Sequence, residues 1–73
     1  MSDIETVDAR GLSCPQPAML AQEALKKVGK GTVEVLVDAI TARENVCRVA
    51  RNSGWDVTVE DRPEGSYRII LRK

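Results

Sequence analysis

The sequence predicts an α/β fold, a two-layer sandwich in the order β-α-β-α-β-β, with a four-stranded mixed sheet and both helices on one face. Three observations indicate this class. Strand-like segments alternate with two stretches of helical periodicity, glycines separate these segments, and a short turn joins the last two strands. Because βαβ crossovers are right-handed, both helices fall on the same side of the sheet. A chain of 73 residues is long enough for one domain, residues 1–73.

The first half of the chain predicts two strands with a helix between them. Ile4 to Ala9 alternates apolar and polar residues, as a short strand does. From Pro17 to Val28, small or apolar residues recur on one helical stripe, and two lysines near its end favour the helix dipole. Gly29 and Gly31 then end the helix. Thr32 to Ala39 is rich in β-branched residues and predicts the most buried strand.

The second half predicts a helix followed by a hairpin. Thr41 and Glu44 have the spacing of a capping box, which predicts a helix with Thr41 as its N-cap and an end near Asn52 to Gly54. Four apolar residues share one face of this helix: Ala42, Val46, Val49 and Ala50. The segment Trp55 to Arg72 predicts two strands joined by a turn at Arg62 to Gly65.

Composition excludes several function classes. The 11 Lys and Arg residues balance the 11 Asp and Glu residues, so charge favours neither nucleic-acid nor membrane binding. The absence of histidine excludes Ser-His and Cys-His catalysis, and two cysteines are too few for a four-ligand zinc site. We expect no metal and no bound cofactor. The acidic N-terminal segment lacks a signal-peptide pattern, and no apolar run is long enough to span a membrane, which predicts a cytoplasmic protein with free thiols.

The stretch Cys14 to Pro17 places a thiol directly ahead of the first predicted helix. Proline is tolerated in a first helical turn, because the N–H that it lacks has no intrahelical partner there. The helix dipole and the free N–H groups favour the thiolate, and Arg10 adds to this if it folds back. An exposed helix end contributes about 0.3–1 kcal/mol, so we expect a moderately activated, accessible thiol. The alternative is a small apolar residue packed in a loop.

Three other positions carry weaker signals. Cys47 lies mid-helix, one residue off the apolar stripe, which predicts packing at the core or its edge rather than a resolving thiol. Asp38 follows the buried strand, and strand carboxyl ends often hold sites, so it is a candidate for shaping a partner contact. Glu60 and Asp61 are interpreted as solvated charge at a strand end.

Several segments together resemble the TusA/SirA/YedF-like family of small sulfur-carrier proteins. They are VDARGLSCPQP, a following helix, a β-rich segment ending VLVD, and ARENVCRVARNSGWDV. The resemblance runs from about Val7 to Arg72, and its centre is the family's Cys-Pro-x-Pro motif, here Cys14 to Pro17, approached through Arg10 and Gly11. The stretch DAITARENVCR is closer to the YedF-like branch, which is associated with selenium metabolism, than to the members known from transfer-RNA thiolation.

The resemblance implies a sulfurtransferase-type persulfide carrier in which Cys14 is the catalytic residue. Arg10, Gly11, Pro15 and Pro17 are the supporting motif residues. A donor, typically a cysteine desulfurase, passes sulfane sulfur to Cys14, and an acceptor protein receives it. The pathway is transfer-RNA thiolation, another sulfur transfer, or a selenium-related route. A monomer is the simplest state for a carrier that docks on two partners in turn.

Two alternatives from other classes stay open. The first is a regulatory or protein-interaction module whose thiol is dispensable and whose open sheet face binds a partner. The second is a small RNA-binding domain, which zero net charge and two aromatic residues, Trp55 and Tyr67, disfavour. Loss of function on Cys14→Ala with the fold intact separates the carrier from the interaction module.

Overall fold

The elements follow the predicted order. The computed structural model describes residues 4–12 and 16–73. Its elements are β1 (Ile4–Asp8), α1 (Gln16–Val28), β2 (Thr32–Val37), α2 (Ile40–Asn52), β3 (Asp56–Asp61) and β4 (Tyr67–Arg72). The predicted α/β class is confirmed, and the strand bounds differ from the predicted ones by a residue or two at their ends.

The four strands form one mixed sheet in the order β1-β2-β4-β3. β1 runs parallel to β2, with Val7 opposite Val35, as a βαβ crossover requires. β4 is antiparallel to both of its neighbours, and Ile69 lies opposite Val35 on one side and Val59 on the other. β2 and β4 are therefore central, and β1 and β3 form the two edges of the sheet.

The core lies between one sheet face and the two helices. Val33, Val35 and Val37 of β2 are fully buried on this face, because alternate residues of a strand point to the same side. Small and apolar residues of α1 and α2 cover them: Pro17, Ala21, Ala24, Leu25, Ala42, Val46, Cys47 and Ala50. The predicted helical stripes are thus confirmed except at Val49, which is only half-buried while Cys47 is buried instead. The many alanines let both helices pack close to the sheet.

The opposite sheet face carries a cluster of charges. The Arg68 guanidinium donates to a Glu34 carboxylate oxygen at 2.5 Å and to a Glu60 carboxylate oxygen at 3.0 Å. These residues come from three adjacent strands, so the cluster ties β2, β4 and β3 together on the solvent side. Glu60 is therefore paired, and it is not simply the solvated charge that the sequence predicts.

The start of α2 corrects one prediction. Thr41 is not the N-cap, because the helix begins at Ile40 and its N-cap is Ala39, with extended backbone angles (φ −134°, ψ 142°) and no side-chain cap. β2 ends at Val37, so only two residues connect strand and helix, and the helix begins as soon as the extended chain ends. The end of α2 at Asn52, followed by Gly54 in the left-handed region, is as predicted.

Neither helix in the described part of the chain is long and apolar enough to cross a membrane.

Candidate functional site

The candidate site lies where the parallel strands β1 and β2 end and the chain enters the two helices. Both connections meet at this end of the sheet, because parallel strands share the direction in which they finish. The predicted catalytic Cys14 and the motif residue Pro15 lie outside the described residues, so their roles stay predictions. The structure describes what precedes and follows them, namely the approach loop (residues 9–12) and α1 from Gln16 onward.

The approach loop is a tight turn closed by backbone hydrogen bonds. The Ala9 N–H donates to the Leu36 carbonyl at 2.8 Å, which continues the contact between β1 and β2 past the strand end. The Leu12 N–H donates to the Ala9 carbonyl at 3.4 Å and closes the turn. Gly11 occupies its third position with φ 78°, a conformation that favours glycine. The predicted motif residue Gly11 therefore has a structural reason to be glycine.

Asp38 holds this turn from the neighbouring connection. The Gly11 N–H donates to both carboxylate oxygens of Asp38, at 3.2 and 3.1 Å, although the two residues are 27 positions apart. The contact joins the loop after β1 to the segment between β2 and α2. Asp38, predicted to shape a partner contact, is placed where it fixes the loop that leads to Cys14.

Asp8 and Arg10 form a second clamp on the approach loop. The Arg10 side chain donates from two nitrogens to the two Asp8 carboxylate oxygens, at 2.9 and 2.8 Å, and the Arg10 backbone N–H donates at 3.2 Å. The side-chain hydrogen bond from Arg10, then its backbone hydrogen bond, lower the pKa of Asp8 from 3.8 to about 2. The structure thus pairs Arg10 with Asp8. Sequence reasoning missed Asp8, and its signal was the Asp-Ala-Arg spacing.

The first turn of α1 fixes the far side of the motif. Pro17 lies in this turn, as predicted, and its side chain is fully buried in the core. The turn carries no acidic side chain that would offset the positive end of the helix dipole. The chain on either side of residues 13–15 is therefore anchored, by the clamped loop before them and by the buried proline after them.

Three apolar side chains at this end of the molecule are left open to solvent. Leu12, Met19 and Ile40 are 36%, 53% and 57% exposed. They are three of the four large exposed hydrophobic residues in the described chain, and such exposure is typical of surfaces that contact other proteins. Sequence reasoning missed these residues. The feature that could have indicated their exposure is that each is apolar but lies outside the helical stripes.

Cys47 has the packing that the sequence predicts. It is 6% exposed on the inner side of α2, and burial raises the pKa of its thiol. Arg51 and Arg43 act in the opposite direction, with smaller effects than burial. A buried thiol with a raised pKa is a poor nucleophile at neutral pH.

Comparison with known proteins identifies the family to which the chain belongs. The sequence model of a protein family, described as "Sulfurtransferase TusA", matches residues 5–73. The chain belongs to the TusA family. This TusA-family chain is 32% identical over 71 residues to a Methanocaldococcus jannaschii protein described as "Putative sulfur carrier protein", covering 96% of the chain and 95% of that relative. It is also 26% identical over 70 residues to part of a longer uncharacterized protein of the same organism, covering 26% of that protein.

A solved structure agrees with the sequence comparison. The crystal structure of a SirA-like protein from Desulfitobacterium hafniense superposes with a TM-score of 0.89 at 32% identity, covering 96% of each chain. The TusA-family chain therefore has the SirA-like fold. The predicted TusA/SirA-like family of sulfur carriers is confirmed at the level of the family.

Proposed function

We propose that Cys14 carries sulfane sulfur as a persulfide and relays it from a donor protein to an acceptor protein. The observation that carries this proposal is the TusA-family match, which spans residues 5–73 and so includes the whole Cys-Pro-x-Pro motif. Cys47, the other cysteine, is buried and has a raised pKa, which leaves Cys14 as the candidate carrier.

The proposed transfer needs only a reachable thiolate. The Cys14 thiolate attacks the outer sulfur of a donor persulfide, a new S–S bond forms, the donor S–S bond breaks, and the donor cysteine leaves as a thiolate. In the second step an acceptor thiolate attacks the outer sulfur on Cys14, and the Cys14 thiolate leaves. Each step exchanges one S–S bond for another, so no external oxidant, reductant or cofactor is required.

The described surroundings of the motif support such a relay. Before Cys14, the Asp38 carboxylate and the Asp8–Arg10 pair hold the approach loop. After it, the buried Pro17 fixes the start of α1. Such anchoring of the described residues on either side reduces the ordering cost of docking on a partner. The exposed Leu12 and Met19 give donor and acceptor an apolar surface to contact.

We further propose that the chain belongs to the YedF-like branch, since the stretch DAITARENVCR that follows β2 favours it. The cargo on Cys14 is then sulfur or selenium, supplied by a cysteine desulfurase or a related donor. A monomeric, cytoplasmic carrier remains the simplest form of the proposal.

Intact mass spectrometry after incubation with a cysteine desulfurase, cysteine and pyridoxal phosphate tests the proposal. The wild-type chain should gain the mass of one sulfur atom, and a reducing agent should remove it. Cys14→Ala should gain none. Cys47→Ala is the matched control and should load like the wild type, with circular dichroism showing that both variants fold. Equal loading of Cys14→Ala and wild type would contradict the proposal.

The alternative, a protein-interaction module, predicts that Cys14→Ala retains function and that no sulfur is loaded. A partner captured equally well by wild type and by folded Cys14→Ala, together with no sulfur loading by several desulfurases, would favour it. The outer sheet face offered for that role is occupied at its centre by the Arg68 ion pairs with Glu34 and Glu60.

A further inference from the structure

A second surface lies at the opposite edge of the sheet from the approach loop. β1 forms one edge and β3 the other, and α2 covers the inner side of β3. An open groove of about 470 Å³ runs between α2 and β3. It is lined by Arg43, Glu44, Cys47, Arg48, Arg51 and Val59.

The groove is positively charged, although the chain as a whole has no net charge. It is lined by three arginines and one glutamate. Arg43 lies over the Tyr67 ring, 4.9 Å from its centre, and is 3.7 Å from the Glu44 carboxylate. Arg48 and Arg51 are exposed, and neither forms an ion pair with any residue of the described chain. Two cations of the groove are therefore available to an anionic group.

The backbone of β3 beside this groove has one free side. β3 pairs only with β4 in the described sheet. The Arg62 N–H donates to the Ser66 carbonyl, and bonded pairs alternate from there along the ladder. The N–H and C=O groups of Val57, Val59 and Asp61 therefore point away from β4. Such an edge is a ready template for an added strand.

The two faces of this edge differ in charge. Val57, Val59 and Asp61 face the helices, beside the arginine groove, because alternate residues share a face and these lie opposite Leu71, Ile69 and Tyr67 of β4. Asp56 and Glu60 face the other way and are exposed. An added strand would place alternate side chains in the groove and the remaining ones beside these carboxylates.

We propose that this edge docks an extended segment of a partner protein, which pairs with β3 and alternates in charge. Its acidic side chains face α2 and meet Arg48 and Arg51, and its basic side chains lie on the opposite face near Asp56 and Glu60. Main-chain hydrogen bonds provide affinity in this mode, and the alternating charges provide specificity. The proposal does not depend on the chemistry of Cys14.

A second copy of the chain and a nucleic acid both fit this edge poorly. Pairing of β3 with β3 of another copy would set acidic faces against each other and bring two arginine-bearing helices together, and opposed like charges are destabilising. A nucleic-acid backbone drawn to Arg48 and Arg51 would also lie near Asp56 and Glu60, which repel phosphate.

Peptide titration of the ¹⁵N-labelled chain, followed by NMR, tests the proposal. The probe is the synthetic peptide Lys-Glu-Thr-Val-Lys-Glu-Lys, whose glutamates and valine fall on one face of a strand. Amide shifts should concentrate at Val57, Val59 and Asp61 and along the groove side of α2. The double variant Arg48→Glu/Arg51→Glu should bind about tenfold more weakly, because two favourable charge pairs become unfavourable.

Matched controls separate strand pairing from general charge attraction. The variant Lys26→Glu/Lys30→Glu has the same charge change on exposed lysines of another surface and should bind like the wild type. The peptide with lysine and glutamate exchanged should bind at least tenfold more weakly. The original peptide should also bind more weakly when it is N-methylated at the backbone nitrogens that would donate hydrogen bonds to β3.

Four outcomes would overturn the proposal. They are no saturable shift at β3, equal affinity of the charge-exchanged peptide, equal affinity of the N-methylated peptide, and tighter binding of a single-stranded oligonucleotide than of the peptide.

Discussion

Replacing Gly11 by alanine tests whether the conformation of the approach loop matters for sulfur transfer. Gly11 has φ 78°, and a Cβ built there has no atom within 4 Å, so the change adds backbone strain without a steric clash. A left-handed conformation costs a residue with a Cβ about 1–2 kcal/mol. The stiffer unfolded chain offsets about 0.4–1 kcal/mol of this. We therefore expect the free energy of unfolding to fall by about 1 kcal/mol.

Gly65→Ala is the matched control. Gly65 lies in the turn between β3 and β4 with φ 95°, and a Cβ there also has no atom within 4 Å. Urea unfolding can be followed by the fluorescence of Trp55, the single tryptophan, which is 4% exposed. For a chain of this size the urea midpoint of both variants should fall by about 1 M.

Gly11→Ala and Gly65→Ala should lose similar stability but differ in the rate of sulfur loading. Under conditions in which both are folded, Gly65→Ala should load like the wild type. Gly11→Ala should load roughly tenfold more slowly, because a displaced loop misplaces the nucleophile. Wild-type loading by a destabilised Gly11→Ala would show that the conformation of the approach loop does not matter for transfer, and an unchanged urea midpoint would show that the left-handed conformation at Gly11 is not strained by a Cβ.

Three further predictions concern side chains. Asp38→Asn removes a charged acceptor from the approach loop. Thermal unfolding should show that the free energy of unfolding falls by about 1 kcal/mol, and sulfur loading of Cys14 should slow. An unchanged free energy of unfolding together with an unchanged loading rate would contradict this. Because Arg10 lowers the pKa of Asp8 from 3.8 to about 2, this pair stabilises the fold above about pH 3.8, and the contribution is lost as pH falls toward 2. NMR titration of Asp8 should give a midpoint near 2, and Arg10→Gln should return it toward 3.8; a midpoint already near 3.8 with Arg10 present would argue against the clamp. In Cys14→Ala, the buried Cys47 should react with a thiol reagent only as urea unfolds the chain, and rapid reaction without urea would show that it is accessible.

Local patterns in the sequence are sufficient to predict the elements, because each element has its own period or stop signal. The β-branched alternation of Thr32–Val37 predicts the central strand, and the glycines after each helix predict its end. The burial of Cys47 follows from its place one residue off the apolar stripe of α2. The capping box at Thr41 and Glu44 failed, because the same residues also fit a helix that begins two residues earlier, at Ile40.

Contacts between distant segments could not be predicted in this way. The hydrogen bond from Gly11 to Asp38 joins residues 27 positions apart and depends on the parallel pairing of β1 with β2. The arginine groove depends on β3 being an edge strand, which the order of the elements along the chain leaves open. The sequence therefore indicates Asp38 as a candidate, and the structure is needed to show what it holds.

Tandem mass spectrometry of the sulfur-loaded, alkylated chain tests whether Cys14 is the residue that carries the sulfur. The added sulfur should lie on the peptide containing Cys14, as an alkylated persulfide, while the peptide containing Cys47 should carry no extra sulfur. The added sulfur should no longer be found on Cys14 when an acceptor thiol is added before alkylation. Extra sulfur on Cys47 with Cys14 alkylated as a plain thiol would show that Cys14 is not the carrier.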